Sequence, residues 1–521
     1  MIAASLLTQG VALAQSGAVP AAVTRELRDA ALDGGAGALL QTLDSILRTR
    51  PQIAASPASA AELARSASSA ARELRGANLP VYRAIIDRIV AASPPANRAA
   101  VSAAVVNEVS RSAAVDPRTP TRLPAGTTVE GPQQRLVQAD GVPPARTTPQ
   151  FGFDAGPFRI YPSADFALAF DDNIFATPTN RRSDLLGVLA LAIVAESAGP
   201  SHTAVIQAHV DMSRYRDQTT ENATDFWFSA EGSYNFSVAT RVFGGMLIKR
   251  DHEERDSPDA VFGFEPTKYW ERRAYAGISH KAGPWLFRAG TTFHHYEFLD
   301  VNSTAGVINN SDRSRSQIEN GVRVAYDLTR QWQIYLQATH DLRRYDITFD
   351  DNGFRRNSHG FRIGLGTHFH AGRELEGDFF AGYMLQDYAD GRFSNVSAPA
   401  LAGNVRWQPF AGTLLSVWFD RAIEETTLFG SSSYITTAVG GRVEQTIAAG
   451  LTVTGRLGYV RSDFQDSTRV DHDWEASIGA RYAFLENFYL GADYRFQRRR
   501  STTAAAEYDR NQVFVRLGAQ Y

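Results

Sequence analysis

Ten arginines recur at strand-like spacing from residue 158 onward: Arg288, Arg323, Arg343, Arg362, Arg406, Arg442, Arg456, Arg481, Arg495 and Arg516. Each alternates with apolar neighbours, so in a strand it shares a face with other polar side chains. Acids fall on the same faces, at Glu319, Asp327, Asp341, Asp420, Glu444, Glu475 and Asp493. This set has two readings. A pore lined by such residues favours anionic or polyhydroxylated solutes, because rings of arginine set anion preference. Alternatively the arginines and carboxylates pair along a wall and hold it together. The modest excess of arginine favours the second reading.

Other chemistry is thinner. Asp171, Asp172 and Asn173 have types that suit a hard cation, but no EF-hand continuation follows them, and a turn held by Asp and Asn side chains fits better. His294 with His295, and His368 with His370, are the tight histidine pairs. Neither has a third ligand nearby, so no metal and no cofactor is expected. Ser279 and His280 lie near His294 in an expected hairpin, as a rim hydrolase would need. Successive strand residues point to opposite faces, so they give no triad. No nucleotide-binding or zinc motif occurs, and no enzyme is expected.

The chain has 521 residues, with 53 basic and 56 acidic side chains and no cysteine. Near-neutral charge argues against a nucleic-acid partner, and the missing cysteine removes disulfides and thiolate chemistry. The longest apolar run, Leu185 to Ala195, is too short for a membrane helix and reads as a strand with both faces covered.

What must position the arginines is a set of strands. From Phe158 on, apolar and polar residues alternate. Ile318, Val322, Val324, Tyr326 and Leu328 oppose Glu319, Gly321, Arg323 and Asp327, and the pattern repeats at Trp332–Asp341, Phe361–Phe369 and Trp474–Tyr482. Short turns, as at Ala282–Pro284 and Ala448–Gly450, alternate with long polar connections, as at His252–Pro266 and Asp300–Arg313. Trp270, Trp285, Trp332, Trp407, Tyr434, Tyr459, Phe484, Phe488 and Tyr521 collect at strand ends like interface girdles. Together these features describe an all-β protein, a transmembrane antiparallel β-barrel of about eighteen strands in the bacterial outer membrane. Phe514 and the terminal Tyr521 fit the closing signal read by the barrel assembly machinery. The segment from Ala398 to Thr413, with Pro399 and Pro409, is hard to parse.

Ahead of the barrel, residues 1–14 read as a signal peptide with Ala12-Leu13-Ala14 as cleavage site. Residues 15–115 are Ala-rich and expected helical at Ala36–Thr49, Ala58–Gly76, Pro80–Ala92 and Ala96–Ala113, and residues 116–150 form a Pro-rich linker. These helices are expected to meet a periplasmic protein or peptidoglycan, or to plug the barrel.

The stretch Ala164–Phe175, with Asp-Asp-Asn-Ile-Phe after a strand, resembles the opening of a family of outer-membrane β-barrel porins. Thr413–Thr427 and Tyr508–Tyr521 resemble it too, and the likeness covers residues 151–521. The resemblance implies a context of capsule or exopolysaccharide synthesis. The expected function is passage or export of a polar or anionic solute, with a polysaccharide as candidate. The alternatives are a structural anchor with a filled lumen and a barrel-embedded lipid or glycan hydrolase.

Overall fold

The computed structural model describes residues 19–72, 79–98, 100–102, 105, 152–199, 201–261, 263–304, 306–372 and 374–521. The expected signal peptide and the Pro-rich linker from 116 to 150 lie outside the described residues. Two compact units emerge, one helical and one built of strands.

The helical unit contains α1 (Ala21–Thr49), α2 (Pro57–Arg72) and α3 (Leu79–Ala91). Its core is a row of apolar residues at helical spacing, including Val23, Leu27, Leu39, Leu43, Leu63, Ile85 and Ile89. Sequence reading starts the first helix at Ala36, whereas it begins at Ala21. It carries a kink at Gly35, whose φ of 71° a side chain would resist. Of the fourth expected helix, Ala96 and Asn97 belong to a 3-10 turn, residues 98, 100–102 and 105 are helical, and the others lie outside the described residues.

The barrel has eighteen long antiparallel strands. They are β1 (Phe158–Asp171), β2 (Asp184–Ala198), β3 (His202–Tyr215), β4 (Ala223–Asn235), β5 (Thr240–His252), β6 (Lys268–Ala282), β7 (Trp285–Phe298), β8 (Arg315–Asp327) and β9 (Trp332–Tyr345). Then come β10 (Ser358–Ala371), β11 (Leu375–Tyr388), β12 (Val396–Trp407), β13 (Thr413–Glu425), β14 (Ser433–Ala448), β15 (Leu451–Phe464), β16 (Val470–Ala483), β17 (Phe488–Ser501) and β18 (Tyr508–Gln520). The first strand pairs with the last, from Ser163↔Gln520 to Asp171↔Gln512, so the sheet closes and has no edge. Connections from odd to even strands are the longer ones, up to the segments 253–267 and 299–314, and those from even to odd strands are short turns. Pro399 and Pro409 fall in β12 and in the turn after it.

Alternation sets the wall. Leu365 and Leu457 are each 68% exposed and sit on the outer, lipid-facing side, between inward residues. The run from Leu185 departs from expectation: Leu191 and Ile193 are exposed, so only one face of β2 is covered. A lipid-facing strand can carry apolar residues on both faces when its inner face also packs. Trp285, Trp332, Trp407, Phe484, Phe488 and Tyr521 are exposed near the turn end, as a girdle requires. Tyr434 is not part of it: it is 7% exposed and stacks on Phe464, with ring centroids 4.8 Å apart.

Candidate functional site

The loop end of the lumen is crossed by the barrel's own chain. The connection 253–267 joins β5 to β6, yet its side chains reach the far wall. Asp256 accepts hydrogen bonds from the Tyr508 hydroxyl at 3.2 Å and from Gln497 Nε2 at 3.3 Å, and its carbonyl accepts one from Arg499 at 2.7 Å. The Pro258 carbonyl accepts from Arg469 Nη1 at 3.1 Å. Near its base, Glu253 pairs with Arg313 at 2.6 Å and Arg255 with Glu221 at 2.6 Å. Partners on strands β17 and β18 can be met from β5 only through the interior, so this segment spans the lumen. Burial raises the carboxyl pKa of Asp259, and that of Glu254 with help from nearby Asp256. Arg313 is pushed the other way, above its ordinary value, because the attraction of Glu253 outweighs the cost of burial.

A second inward element meets the first. Thr426 Oγ1 donates to Asp259 Oδ1 at 2.6 Å. Thr426 follows β13, and Arg356 binds that turn by donating to the carbonyls of Ser431 at 2.8 Å and Leu428 at 3.3 Å while pairing with Asp350 at 2.6 Å. Arg343 of β9 bonds Asp341 at 2.8 Å and also Glu425. These buried guanidiniums are each held by a carboxylate, which a buried charge requires.

Below this lock the arginines form two rows across neighbouring strands. One runs in register from Asn235 through Arg241, Ser279, Arg288 and Arg323 to Gln337. The other runs from Arg406 through Ser416, Arg442, Arg456, Ser477 and Arg495 to Gln512. Strands tilt in a barrel, so a row that follows the hydrogen-bonding direction climbs the wall. The second row starts next to the turn after β12 and ends beside Asp171, at the loop end of β1. The rows lie on strands β4–β9 and β12–β18, about half a circumference apart.

All ten arginines singled out from the sequence stand on the face opposite the exposed apolar residues of their strands. Their partners differ. Arg323 donates through Nε and Nη2 to Gln337 Oε1 at 3.0 and 2.7 Å, and Arg241 donates to Ser233 Oγ at 2.7 Å. Arg442 pairs with Glu444 at 2.9 Å, Arg516 with Asp493 at 2.9 Å, and Arg456 with Glu475 at 4.0 Å. Glu319 shares the inner face of β8 with Arg323. Several arginines cover inward aromatic rings: Arg323 over Tyr335 at 3.8 Å, Arg481 over Tyr489 at 3.5 Å, Arg288 over Phe243 at 4.5 Å and Arg362 over Phe380 at 4.7 Å. Such stacks contribute about 0.5–2 kcal/mol each. Tyr335 lies flat because its neighbour is Gly366, where a Cβ would come within 2.1 Å of the ring.

Phe514 lies beneath Arg516 and Arg495, with the charges 5.0 and 5.7 Å from its ring, on the face opposite that of half-exposed Tyr521. Asp171 and Asn173 build a turn: the Asn173 N–H donates to Asp171 Oδ1 at 2.9 Å, and its amide donates to the carbonyls of Thr177 and Asp509. Ser279 registers with Arg288, whereas His294 registers with Arg273, and the His280 ring bonds Thr240, so these three are not brought together. Among the described residues, Asp225, Asp251 and His252 are close enough to share a cation. Lys249 at 2.6 Å from Asp251, and His252 at 2.8 Å from Asp225, already supply their partners. Sequence reading missed Asp256, Asp259, Arg356 and Glu425, which lie in polar connections or at a strand end and carry no local sign of facing inward.

No curated protein matches this chain. Three solved proteins of Pseudomonas aeruginosa are similar to it. OpdL shares 12% identity over 70% of this chain and 99% of its own, with a TM-score of 0.37. OccK9 (OpdG) shares 12% over 70% and 98%, with a TM-score of 0.38. OccK2 (OpdF), solved in complex with glucuronate, shares 10% over 70% and 98%, with a TM-score of 0.39. The model of the family described as putative beta-barrel porin 2 matches residues 148–521, so the chain belongs to that family and is a porin-like β-barrel of the bacterial outer membrane.

Proposed function

We propose that this barrel passes a polar, anionic solute across the outer membrane by diffusion along the two arginine rows, without chemistry. The observation that carries this reading is the pair of rows, each with the order Arg, Ser, Arg, Arg, rising on opposite sides of one lumen. In the first row, Arg241 and Arg323 bond neutral oxygens, so their charge stays available to a passing anion. Arg288, Arg323, Arg362 and Arg481 add flat aromatic surface beneath the charge, which suits sugar rings bearing acids. Apart from Arg343, which is engaged in the lock, the arginines singled out from the sequence, with Glu319 and Glu475, line the route.

The cargo we favour is an acidic polysaccharide or a fragment of one, in line with the capsule and exopolysaccharide context implied by the family resemblance. Tyr521 and Phe514 would serve barrel assembly, and the helical unit would meet a periplasmic protein or peptidoglycan. Swelling of liposomes bearing the full chain tests the route. Gluconate should enter faster than sorbitol, a neutral polyol of similar size. Entry of neither solute would favour a structural anchor instead.

A further inference from the structure

One seam of the wall is not zipped to the top. Strands β12 and β13 are in register from Trp407↔Leu415 to Leu401↔Arg421, and there the pairing stops. Beyond it, Val396–Ala400 stay paired to β11, and Ala422–Glu425 stay paired to β14. Pro399, which has no N–H to give to a ladder, sits in the vacant edge.

The tip of the β13–β14 hairpin has left the wall. Residues 422–426 and 431–436 are buried on both faces, whereas the lower parts of these strands alternate. The Glu425 carboxylate bonds Arg343 and the Tyr345 hydroxyl, both on β9. Three strands stand between β9 and β13, about 19 Å along the wall at about 4.8 Å per strand, so the contact is made inside the lumen. Ile423 and Ile435 occupy the face that carries lipid-exposed Val417 and Val439 lower down. In the tip they pack instead on the inner side of β11 and β12, against Phe380, Met384, Ala398 and Ala400. The wall is lapped there, with β11–β12 outside and the hairpin tip inside.

Arg343 is 4% exposed, and with Tyr345 it forms a built anion site that the chain fills with its own carboxylate. We propose that a carboxylate on the solute takes the place of Glu425 at Arg343 and Tyr345, which frees the hairpin tip to leave the lumen and pair with the vacant edge of β12. Continued register would set Ala400 opposite Ala422, Ala398 opposite Glu424 and Ser397 opposite Glu425. It would also return Ile423 and Ile435 to the lipid-facing side that their strands specify. Departure of the tip also gives up the Thr426 hydrogen bond to Asp259, so the segment 253–267 loosens with it. The proposal rests on the reading of the lumen as a route for anions.

The chain has no cysteine, so an introduced pair is unambiguous. In A398C/E424C the two thiols face different sides of the lap and meet only when the tip is in the wall. Oxidation of the full chain in liposomes should form this disulfide slowly in buffer or sorbitol and several-fold faster in gluconate. Adding Glu425→Gln should make it fast without gluconate. A rate that responds to neither gluconate nor Glu425→Gln overturns the proposal. Should the cysteine pair not fold, Glu425→Gln alone should raise single-channel conductance, and an unchanged conductance counts against the site. Cross-linking is read without flux, so failure of gluconate to enter liposomes would sink the transport reading separately.

Discussion

At the loop end of the lumen, Arg313, Arg343, Arg356 and Arg499 are almost fully buried, and each is held by a carboxylate at 2.6–2.8 Å. At the turn end, Arg241 and Arg323 donate to a serine hydroxyl and a glutamine amide oxygen. The same residue type therefore does two jobs, and its partner decides which. Paired and buried, arginine fastens inward chain to the wall. Given a neutral partner, it keeps its charge toward the passage. Carboxylate pairing is not confined to the loop end, since Arg442 pairs with Glu444 and Arg516 with Asp493 further down the wall. The basic lining we propose rests on arginines such as Arg241 and Arg323, whose partners are neutral.

The largest expected effect breaks the fastening. Arg343→Ala leaves Asp341 and Glu425 without their cation, so stability should fall by about 3–5 kcal/mol. Urea unfolding in detergent, followed by tryptophan emission, measures this, and a loss under about 1 kcal/mol would show that the lock is not structural. Next in size is the aperture. Replacing residues 255–260 with a Gly-Ser linker removes the Asp256 and Asp259 contacts, and conductance should rise several-fold. An unaltered conductance would mean that the segment does not limit passage.

A smaller effect follows from pH. Burial raises the Asp259 carboxyl pKa, so the docked segment holds a proton more tightly than the free one. Docking is weakest above the raised value and regains strength as pH falls toward about 3.9, the ordinary value for Asp. Glu254 acts in the same direction. Conductance should therefore drop on acidification from neutral pH, less so in Asp259→Asn, and a rise on acidification would reverse the assignment. Smallest in stability is the turn end. Arg241→Gln with Arg323→Gln should shift unfolding by about 1 kcal/mol or less while lowering the gluconate-to-sorbitol ratio in swelling. An unchanged ratio would remove the first row from the route.

The strands, their number and the inward arginines are legible because alternation is local: Val322 and Arg323 declare their faces by position alone. The lap is not legible, because Ile423 and Ile435 carry the alternation of an ordinary lipid-facing wall. Only contacts four strands away, through Glu425 and Arg343, pull them inside. For the same reason Tyr434 reads as a girdle residue although it is buried. Asp256 and Asp259 look like loop carboxylates in water, since nothing near them in sequence reveals Tyr508, Gln497 or Thr426. Sequence reading takes only the second half of α1, from Ala36, whereas the helix begins at Ala21 and continues through a kink at Gly35.

The central claim is that the two rows make this lumen a route for anions. The reversal potential of the full chain in a planar bilayer under a KCl gradient tests it most directly. The arginine rows predict a potential displaced toward the chloride equilibrium value and moved back by Arg241→Gln with Arg323→Gln. A potential displaced toward the potassium value, or a bilayer that carries no current, would contradict it.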